Sequence, residues 1–303
     1  MKTKSKIELE SNEMQVSIGT LSMISRLLFP IPLMTALAMD CIGIGSERIQ
    51  GPAGEIYTES IGFGDEAVVM IHSLAGNTSH WRDSLEYLKN RKRVITLDLR
   101  GHGKSSVADN ADFKITSLAA DVEAVVRHFR LKKVILVGHS MGGLVALEYA
   151  GKHSDMVSGL LLVDSSGDSR KMPKEQVRAI LDQANRDVHA ESMVSYFETM
   201  LVSSNKEVRE KIIGDLNRLP RNVRLEIFAD LFRYDPHPAL AGYRGPVYAI
   251  VTPYNNGPES LHNLRKGISF AVVKNTGHWL FLDRPEEFRK HLDRFLDQIR
   301  DKN

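Results

Sequence analysis

Short apolar runs of strand length alternate with amphipathic stretches of helical period along most of the chain. The apolar runs cover residues 55–60, 68–72, 94–99, 134–137, 160–164, 247–251 and 268–273. Several runs are nearly continuous in Val, Ile and Leu, as expected for strands that are buried on both faces. Between the runs, apolar residues recur at helical spacing, for example Leu118, Val122 and Val125. The alternation predicts an α/β fold with a mostly parallel sheet and helices on both of its faces.

The alternation stops between residues 165 and 243, a charged stretch of helical period without a convincing strand. In this stretch Val194, Phe197 and Leu201 share one helical face. We therefore expect a core formed by residues 39–164 and 244–303, with residues 165–243 inserted as a helical cap. A helical block over the carboxyl ends of parallel strands is typical of a lid on a binding site.

Residues 1–38 are a separate N-terminal segment. Arg26 precedes an apolar run at residues 27–34, and Ala36-Leu37-Ala38 follows. This order is similar to a secretory signal with cleavage after Ala38, and it predicts export to the periplasm or the medium. The alternative is an apolar segment that stays packed on the domain of a cytoplasmic protein. The run is too short for a bilayer and contains two prolines, so we expect no stable membrane insertion.

The composition of the 303 residues narrows the class of protein. With 42% hydrophobic residues, the chain can bury one large core and a smaller lid. A formal net charge of +2 indicates no nucleic-acid partner. Cys41 is the single cysteine, so an internal disulfide is impossible, and neither Cys/His zinc spacing nor an H-E-x-x-H pair occurs. We expect no metal, and the oligomeric state stays open.

The segment Gly138-His139-Ser140-Met141-Gly142 lies between an apolar run and a helical pattern. A sharp strand–turn–helix corner would place Ser140 in a strained conformation with its hydroxyl exposed. Side chains at positions 138 and 142 would collide with neighbouring backbone, which explains the two glycines. The segment predicts Ser140 as a nucleophile, and the alternative interpretation is a plain glycine-rich turn.

A nucleophilic serine needs a base, and His278 is the candidate. It lies in Asn275-Thr276-Gly277-His278-Trp279, directly after the last predicted strand and before a helix start at Asp283-Arg284-Pro285. A histidine on a glycine-flanked loop at a strand end is well placed to reach Ser140. His139 is adjacent to the nucleophile, and we expect its side chain to point away from it.

The acid that orients His278 is less certain from the sequence. The loop after the strand at 247–251 holds no carboxylate, although this is the usual place for the acid in such an architecture. Asp164, at the end of the strand at 160–164, is the preferred candidate, because a buried carboxylate there could accept the imidazole N–H. If Asp164 is structural instead, Asn256, Asp168 or Glu259 are the alternatives.

Two backbone amides are expected to stabilise an oxyanion. One belongs to Met141, at a helix N-terminus, and the other to Leu74, in the loop after the strand at 68–72. Trp81 and Trp279 are the apolar candidates for the substrate pocket, although either could be a core residue. Together these residues indicate acyl transfer to water.

Four ordered motifs carry a resemblance to a known family, and they lie at residues 72–77, 98–105, 138–142 and 277–279. From about residue 55 onward the chain resembles the α/β-hydrolase superfamily, and among its members the capped esterases, lactonases and perhydrolases. The resemblance implies an eight-stranded, mostly parallel sheet whose first pair is antiparallel, a Ser-acid-His triad and no cofactor. Ser73 departs from the pattern, since many relatives have glycine there, and so does the missing acid after 247–251.

The function that these observations favour is hydrolysis of a carboxylic ester or lactone of a small, partly apolar substrate. Ser140 argues against the dehalogenases and epoxide hydrolases of this fold, which use an aspartate. Two alternatives stay open: a C–C bond hydrolase or perhydrolase with the same triad, and a non-catalytic ligand-binding protein on the same fold.

Overall fold

The computed structural model describes residues 43–186 and 191–300, so the predicted signal segment at 1–38 lies outside the described residues. The described residues form one eight-stranded sheet. Its strands are β1 (Gly45–Gly51), β2 (Gly54–Ile61), β3 (Glu66–Ile71), β4 (Val94–Leu97), β5 (Lys133–His139), β6 (Val157–Val163), β7 (Val247–Val251) and β8 (Ser269–Val272).

The strands follow the order β1-β2-β4-β3-β5-β6-β7-β8 across the sheet. β1 pairs antiparallel with β2, β2 pairs antiparallel with β4, and all other neighbours are parallel. The predicted α/β fold, with its mostly parallel sheet and antiparallel first pair, is confirmed.

Helices flank the sheet on both faces and fill the interval between β6 and β7. In the described part of the chain they are α1 (Arg82–Leu88), α2 (Ile115–His128), α3 (Met141–Lys152), α4 (Lys174–Arg186), α5 (Glu191–Met200), α6 (Lys206–Arg218), α7 (Arg221–Leu231), α8 (His237–Gly242), α9 (Leu261–Leu264), α10 (Leu280–Asp283) and α11 (Pro285–Arg300). No helix within residues 43–186 and 191–300 combines the length and apolarity that crossing a membrane requires.

The central strands form the core because both of their faces are covered. Every residue of β4 is buried, and β5 is buried beyond Lys133. The predicted strands coincide with β2 to β8 apart from one to three residues at their ends. β1 was not predicted, since five of its seven residues are exposed and the strand shows no apolar run. It lies at the edge of the sheet, where only one neighbour covers it.

The helices α4 to α8 form an insertion between β6 and β7, which we call the helical insertion. It is joined to the sheet domain by buried polar contacts. His80 Nε2 lies 2.8 Å from Asp215 Oδ2 of α6, and both side chains are buried. The Ile115 N–H, at the start of α2, donates to Asp230 Oδ2 of α7 at 2.8 Å.

The parallel register brings four loops to one edge of the sheet. Ile71 at the end of β3 is opposite Gly138 of β5, and Val163 of β6 is opposite both His139 and Ile250. The carboxyl ends of these strands are therefore level, and the segments that follow them are neighbours. A crevice at this edge is where ligands bind in open α/β sheets.

Candidate active site

Ser140 occupies the corner between β5 and α3 and has a strained backbone. Its φ of 53° and ψ of −120° lie in a region that L-residues rarely adopt. A Cβ atom at Gly138 would be 2.3 Å from the Gly142 carbonyl oxygen, and one at Gly142 would be 2.4 Å from the carbonyl oxygens of Ile71 and His72. Only glycine fits at either position, so the sequence of the corner determines its conformation. Ser140 itself is half-exposed between buried neighbours.

Two backbone amides are the candidates for binding an oxyanion beside this corner. Met141 is the first residue of α3, so its N–H has no acceptor within the helix. Leu74 belongs to a tight turn in which the Gly76 N–H donates to the Ser73 carbonyl at 2.9 Å and Ala75 has a φ of 61°. Neither the Leu74 nor the Met141 amide donates a hydrogen bond to another described residue. Both amides are therefore free to bind a developing oxyanion.

His278 and Asp164 form a buried pair. The Nδ1–H of His278 donates to Asp164 Oδ2 at 2.6 Å, and the two side chains are 5% and 0% exposed. This hydrogen bond fixes the ring orientation and leaves Nε2 as the nitrogen that can accept a proton. The structure thus brings the preferred sequence candidate for the acid to the imidazole of the candidate base.

Three further donors hold the Asp164 carboxylate in place. The Thr252 N–H donates to Oδ1 at 2.6 Å, and the Thr252 hydroxyl donates to Oδ2 at 3.0 Å. Asn255 Nδ2 donates to Oδ2 at 2.9 Å and to the Asp164 carbonyl at 3.1 Å. Asp164 has a φ of 43°, in the left-handed region that is unfavourable for a residue with a Cβ. The hydrogen bonds from the segment after β7 compensate for this strained backbone.

Asn255 is the functional neighbour that the sequence analysis missed. It follows β7, in a 3₁₀ turn at Pro253–Asn255, and its Nδ2 lies 3.4 Å from His278 Nδ1. Asn256, the alternative expected from the sequence, is exposed, and its Oδ1 accepts from His262 Nε2 at 2.9 Å. The two asparagines are adjacent in the sequence, and only the turn determines which one faces the imidazole.

The remaining alternatives for the acid are engaged elsewhere. Asp168 pairs with Arg170 at 2.8 Å, and its Oδ2 lies 3.6 Å from His237 Nδ1. The Glu259 side chain is exposed, while its backbone carbonyl accepts from the Asp168 N–H at 2.8 Å. Among the described residues, Asp164 is the carboxylate that reaches His278.

His139 supports the backbone of the candidate base. Its Nε2–H donates to the His278 carbonyl at 3.0 Å, and the centroids of the two rings are 4.6 Å apart. Burial, with the neighbouring His278 ring, lowers the pKa of His139 well below its ordinary value, so the ring is neutral. A neutral ring with Nε2–H as donor can hold the 276–279 loop in position, a role that the sequence analysis did not assign.

Ser140 and His278 line one cavity of about 60 Å³ beneath the helical insertion. Leu74 lines it from the turn after β3, and Trp279 lines it together with Phe197 of α5. No direct hydrogen bond joins the Ser140 hydroxyl to the His278 ring among the hydrogen bonds of the described residues. Catalytic hydrogen bonds of this kind are often long without substrate and shorten when it binds.

The expectation that Trp81 lines the pocket is corrected. Trp81 is fully buried and stacks on Phe281 at 4.2 Å between ring centroids, on the core side of the 278–281 segment. The side chain belongs to the hydrophobic core, where its ring also lies 6.2 Å from the ring of Phe288 of α11. Trp279, also buried, does reach the cavity.

Within residues 43–186 and 191–300, no group of His, Cys, Asp or Glu side chains is arranged to hold a metal ion. The chemistry that the described arrangement offers is that of a hydroxyl, an imidazole, a carboxylate and two amides. These are the parts required for acyl transfer through a covalent intermediate.

Comparison with known proteins identifies similar sequences and structures. A family model described as the alpha/beta hydrolase fold matches residues 66–196. The dihydrolipoyllysine-residue acetyltransferase component of an acetoin-cleaving system from Pseudomonas putida is 27% identical, with 83% of this chain and 71% of that protein covered. Epoxide hydrolase 3 of Xenopus tropicalis is 25% identical, with 76% of this chain and 71% of that protein covered.

Among solved structures, the esterase EaEST from Exiguobacterium antarcticum is similar, with a TM-score of 0.73 and 24% identity. The similarity covers 84% of this chain and 100% of the esterase. Other similar proteins and structures are also described as esterases and lipases.

Proposed function

We propose that this chain, a hydrolase that belongs to the α/β-hydrolase superfamily, cleaves a carboxylic ester or lactone through a serine-bound acyl intermediate. One observation carries the proposal. The strained corner that presents Ser140 opens into the same cavity as His278, whose other ring nitrogen is bonded to Asp164 at 2.6 Å. A surface serine in a glycine-rich turn would need neither the imidazole nor the buried carboxylate.

The proposed reaction has two halves, acylation of Ser140 and hydrolysis of the acyl-enzyme, and the same catalytic groups act in both. Ser140 Oγ attacks the substrate carbonyl carbon while His278 Nε2 takes the hydroxyl proton, and the charged imidazolium is stabilised by Asp164. The amides of Leu74 and Met141 donate to the negative oxygen of the tetrahedral intermediate. His278 then gives its proton to the leaving alkoxide as the C–O bond breaks. Water repeats the sequence on the acyl-enzyme and releases the acid.

A serine nucleophile also separates this chain chemically from epoxide hydrolases. Attack on an epoxide by an aspartate forms an ester that water can hydrolyse, whereas attack by the Ser140 hydroxyl would form a stable ether. The cavity beside Ser140 is small and partly apolar, with Phe197, Met200 and Trp279 in its wall. These features support a small acyl ester as the substrate.

Hydrolysis of p-nitrophenyl acetate, together with labelling by a fluorophosphonate, tests this proposal. We expect turnover by the purified chain and a label on Ser140, and we expect Ser140→Ala to lose both. Ser166→Ala is the matched control, because Ser166 lines the same cavity but does not lie on the strained corner. The absence of both turnover and labelling in the unmodified chain would refute the proposal.

A further inference from the structure

A second and larger cavity adjoins the one at Ser140. Its volume is about 530 Å³, against about 60 Å³ beside the nucleophile. Ser166, Tyr196, Phe228, Leu231, Tyr254 and Asn255 line both cavities. We call the larger one the outer chamber. The shared wall places the two spaces side by side, with the narrow one at the nucleophile and the wide one under the helical insertion.

The volume of each cavity limits the size of the group that it can hold. An apolar protein cavity of about 150 Å³ accommodates a benzene molecule. The cavity at Ser140, at about 60 Å³, therefore suits only a short group. The outer chamber, at about 530 Å³, has space for a group several times larger than benzene.

The described residues in the wall of the outer chamber carry no charge. On α4, Gln176, Ile180 and Gln183 face it at the spacing i, i+4, i+7, which is one face of a helix. The charged residues of the same helix lie elsewhere. Arg178 and Asp182 line a neighbouring space, which we call the outer groove and whose wall shares Met172 and Phe232 with the chamber. None of the described residues that line the chamber is Asp, Glu, Lys or Arg.

The chamber also offers unused hydrogen-bonding groups. The amides of Gln176 and Gln183 can each donate and accept, and neither bonds to another described side chain or backbone group. Met193 and Phe232 supply apolar wall beside them. A charged ligand would find no counter-charge among the described lining residues, whereas a neutral ligand with hydroxyl, ether or amide groups could bond to the two glutamine amides.

We infer that the substrate is an asymmetric ester, with one short half at Ser140 and a larger, uncharged, hydrogen-bonding half in the outer chamber. This inference rests on the proposed function. Ile180 and the two glutamines of α4 are then specificity-determining residues, since they contact the larger half and no reacting atom.

Esters of graded size and charge test the inference in a pH-indicator assay. Ethyl acetate is the short reference, and it is compared with esters lengthened by a hexyl-length ether chain on the alcohol side or on the acyl side. Lengthening on one side should raise kcat/KM about tenfold or more, and lengthening on the other side should lower it. A carboxylate at the end of the favoured chain should remove the gain.

Variants on α4 locate the effect. Ile180→Trp should abolish the gain in kcat/KM that the longer chain gives over ethyl acetate. Leu181→Trp is the matched control, because Leu181 is the next residue but faces the outer groove. Gln183→Trp, at an exposed position, repeats the test if Ile180→Trp does not fold. Gln183→Lys should restore the gain for the chain that ends in a carboxylate.

The outcomes separate the two proposals. Hydrolysis of ethyl acetate that depends on Ser140 would support the proposed function. If, in addition, lengthening the ester raises kcat/KM on both the alcohol and the acyl side, or on neither, the inference is wrong and the proposed function stands. Equal effects of Ile180→Trp and Leu181→Trp, or equal rates for neutral and carboxylate-ended chains, would also overturn it. If no ester is hydrolysed and no label reaches Ser140, the proposed function itself fails.

Discussion

Replacing Asp164 by asparagine changes the charge beside His278 with almost no change in shape. In Asp164→Asn, the remaining side-chain oxygen can still accept from the Thr252 N–H, which bonds to Oδ1 in the native chain at 2.6 Å. The new NH₂ group then replaces Oδ2, the atom that accepts from His278 Nδ1 at 2.6 Å. Because an NH₂ group donates, it favours the tautomer of His278 with its proton on Nε2. That nitrogen can no longer take the proton of Ser140.

The expected loss is large because two effects coincide. The wrong tautomer disables the base, and the imidazolium of the transition state loses its buried counter-charge. In a serine protease the same exchange lowers kcat by about 10⁴-fold. At about 1.36 kcal/mol for each factor of ten, this corresponds to about 5.4 kcal/mol of transition-state stabilisation. KM should change little, since Asp164 is fully buried and does not line the cavity.

The assay is steady-state hydrolysis of p-nitrophenyl acetate, with thermal unfolding to verify that each variant is folded. Asn256→Ala is the control, because Asn256 was the sequence-based rival and bonds to His262 instead. We expect Asn256→Ala to retain nearly the full kcat. A loss of less than tenfold in Asp164→Asn, or an equal loss in both variants, would refute the assignment of Asp164 as the orienting acid.

Three further predictions concern the acid beside His278, the glycine corner at Ser140 and the buried His80–Asp215 pair. The double variant Asp164→Asn/Asn255→Asp should regain at least tenfold in kcat over Asp164→Asn, because Asn255 Nδ2 lies 3.4 Å from His278 Nδ1. Gly142→Ala should lower the urea midpoint by several times more than Gly257→Ala, since a Cβ meets backbone oxygens at 2.4 Å in the first and nothing within 4 Å in the second. Burial raises the pKa of Asp215, but the His80 hydrogen bond and charge, with Arg218 and Lys211, lower it to about 2. The charged Asp215 therefore stabilises the fold by about 2 kcal/mol above pH 4, and this stabilisation is lost toward pH 2. The free energies of unfolding of Asp215→Asn and of the native chain, measured by urea titration, should converge in acid.

The buried strands could be predicted from the sequence because burial on both faces leaves a continuous apolar run. β5 and β6 show this pattern, and their predicted ends differ from the observed ones by a few residues. β1 could not be found in this way. Its residues are mostly polar and exposed, and its pairing with β2 depends on hydrogen bonds that any sequence can form. An edge strand is specified by its neighbour rather than by its own composition.

The candidate site likewise contains residues that short segments identify and residues that only the folded chain brings into place. Ser140 and His278 are marked by local glycines and by their position at strand ends, so short segments identify them. Asp164 required the order of the strands as well, because the whole helical insertion separates the carboxylate from the imidazole along the chain. The placement of Trp81 required tertiary packing. An apolar residue near a motif can face the cavity or the core, and the stacking of Trp81 on Phe281 is a property of the folded chain.

The asparagine at position 255 is a consequence of where the acid lies. Asn255 Nδ2 is 2.9 Å from Asp164 Oδ2, so a carboxylate at 255 would place two negative groups at hydrogen-bond distance. Two such carboxylates cannot both ionise readily, and one would retain a proton and stabilise the imidazolium less. An amide at 255 donates to Asp164 where a second acid would repel it. The acid after β6 and the asparagine after β7 therefore form one unit, in which the Asn255 amide holds the Asp164 carboxylate.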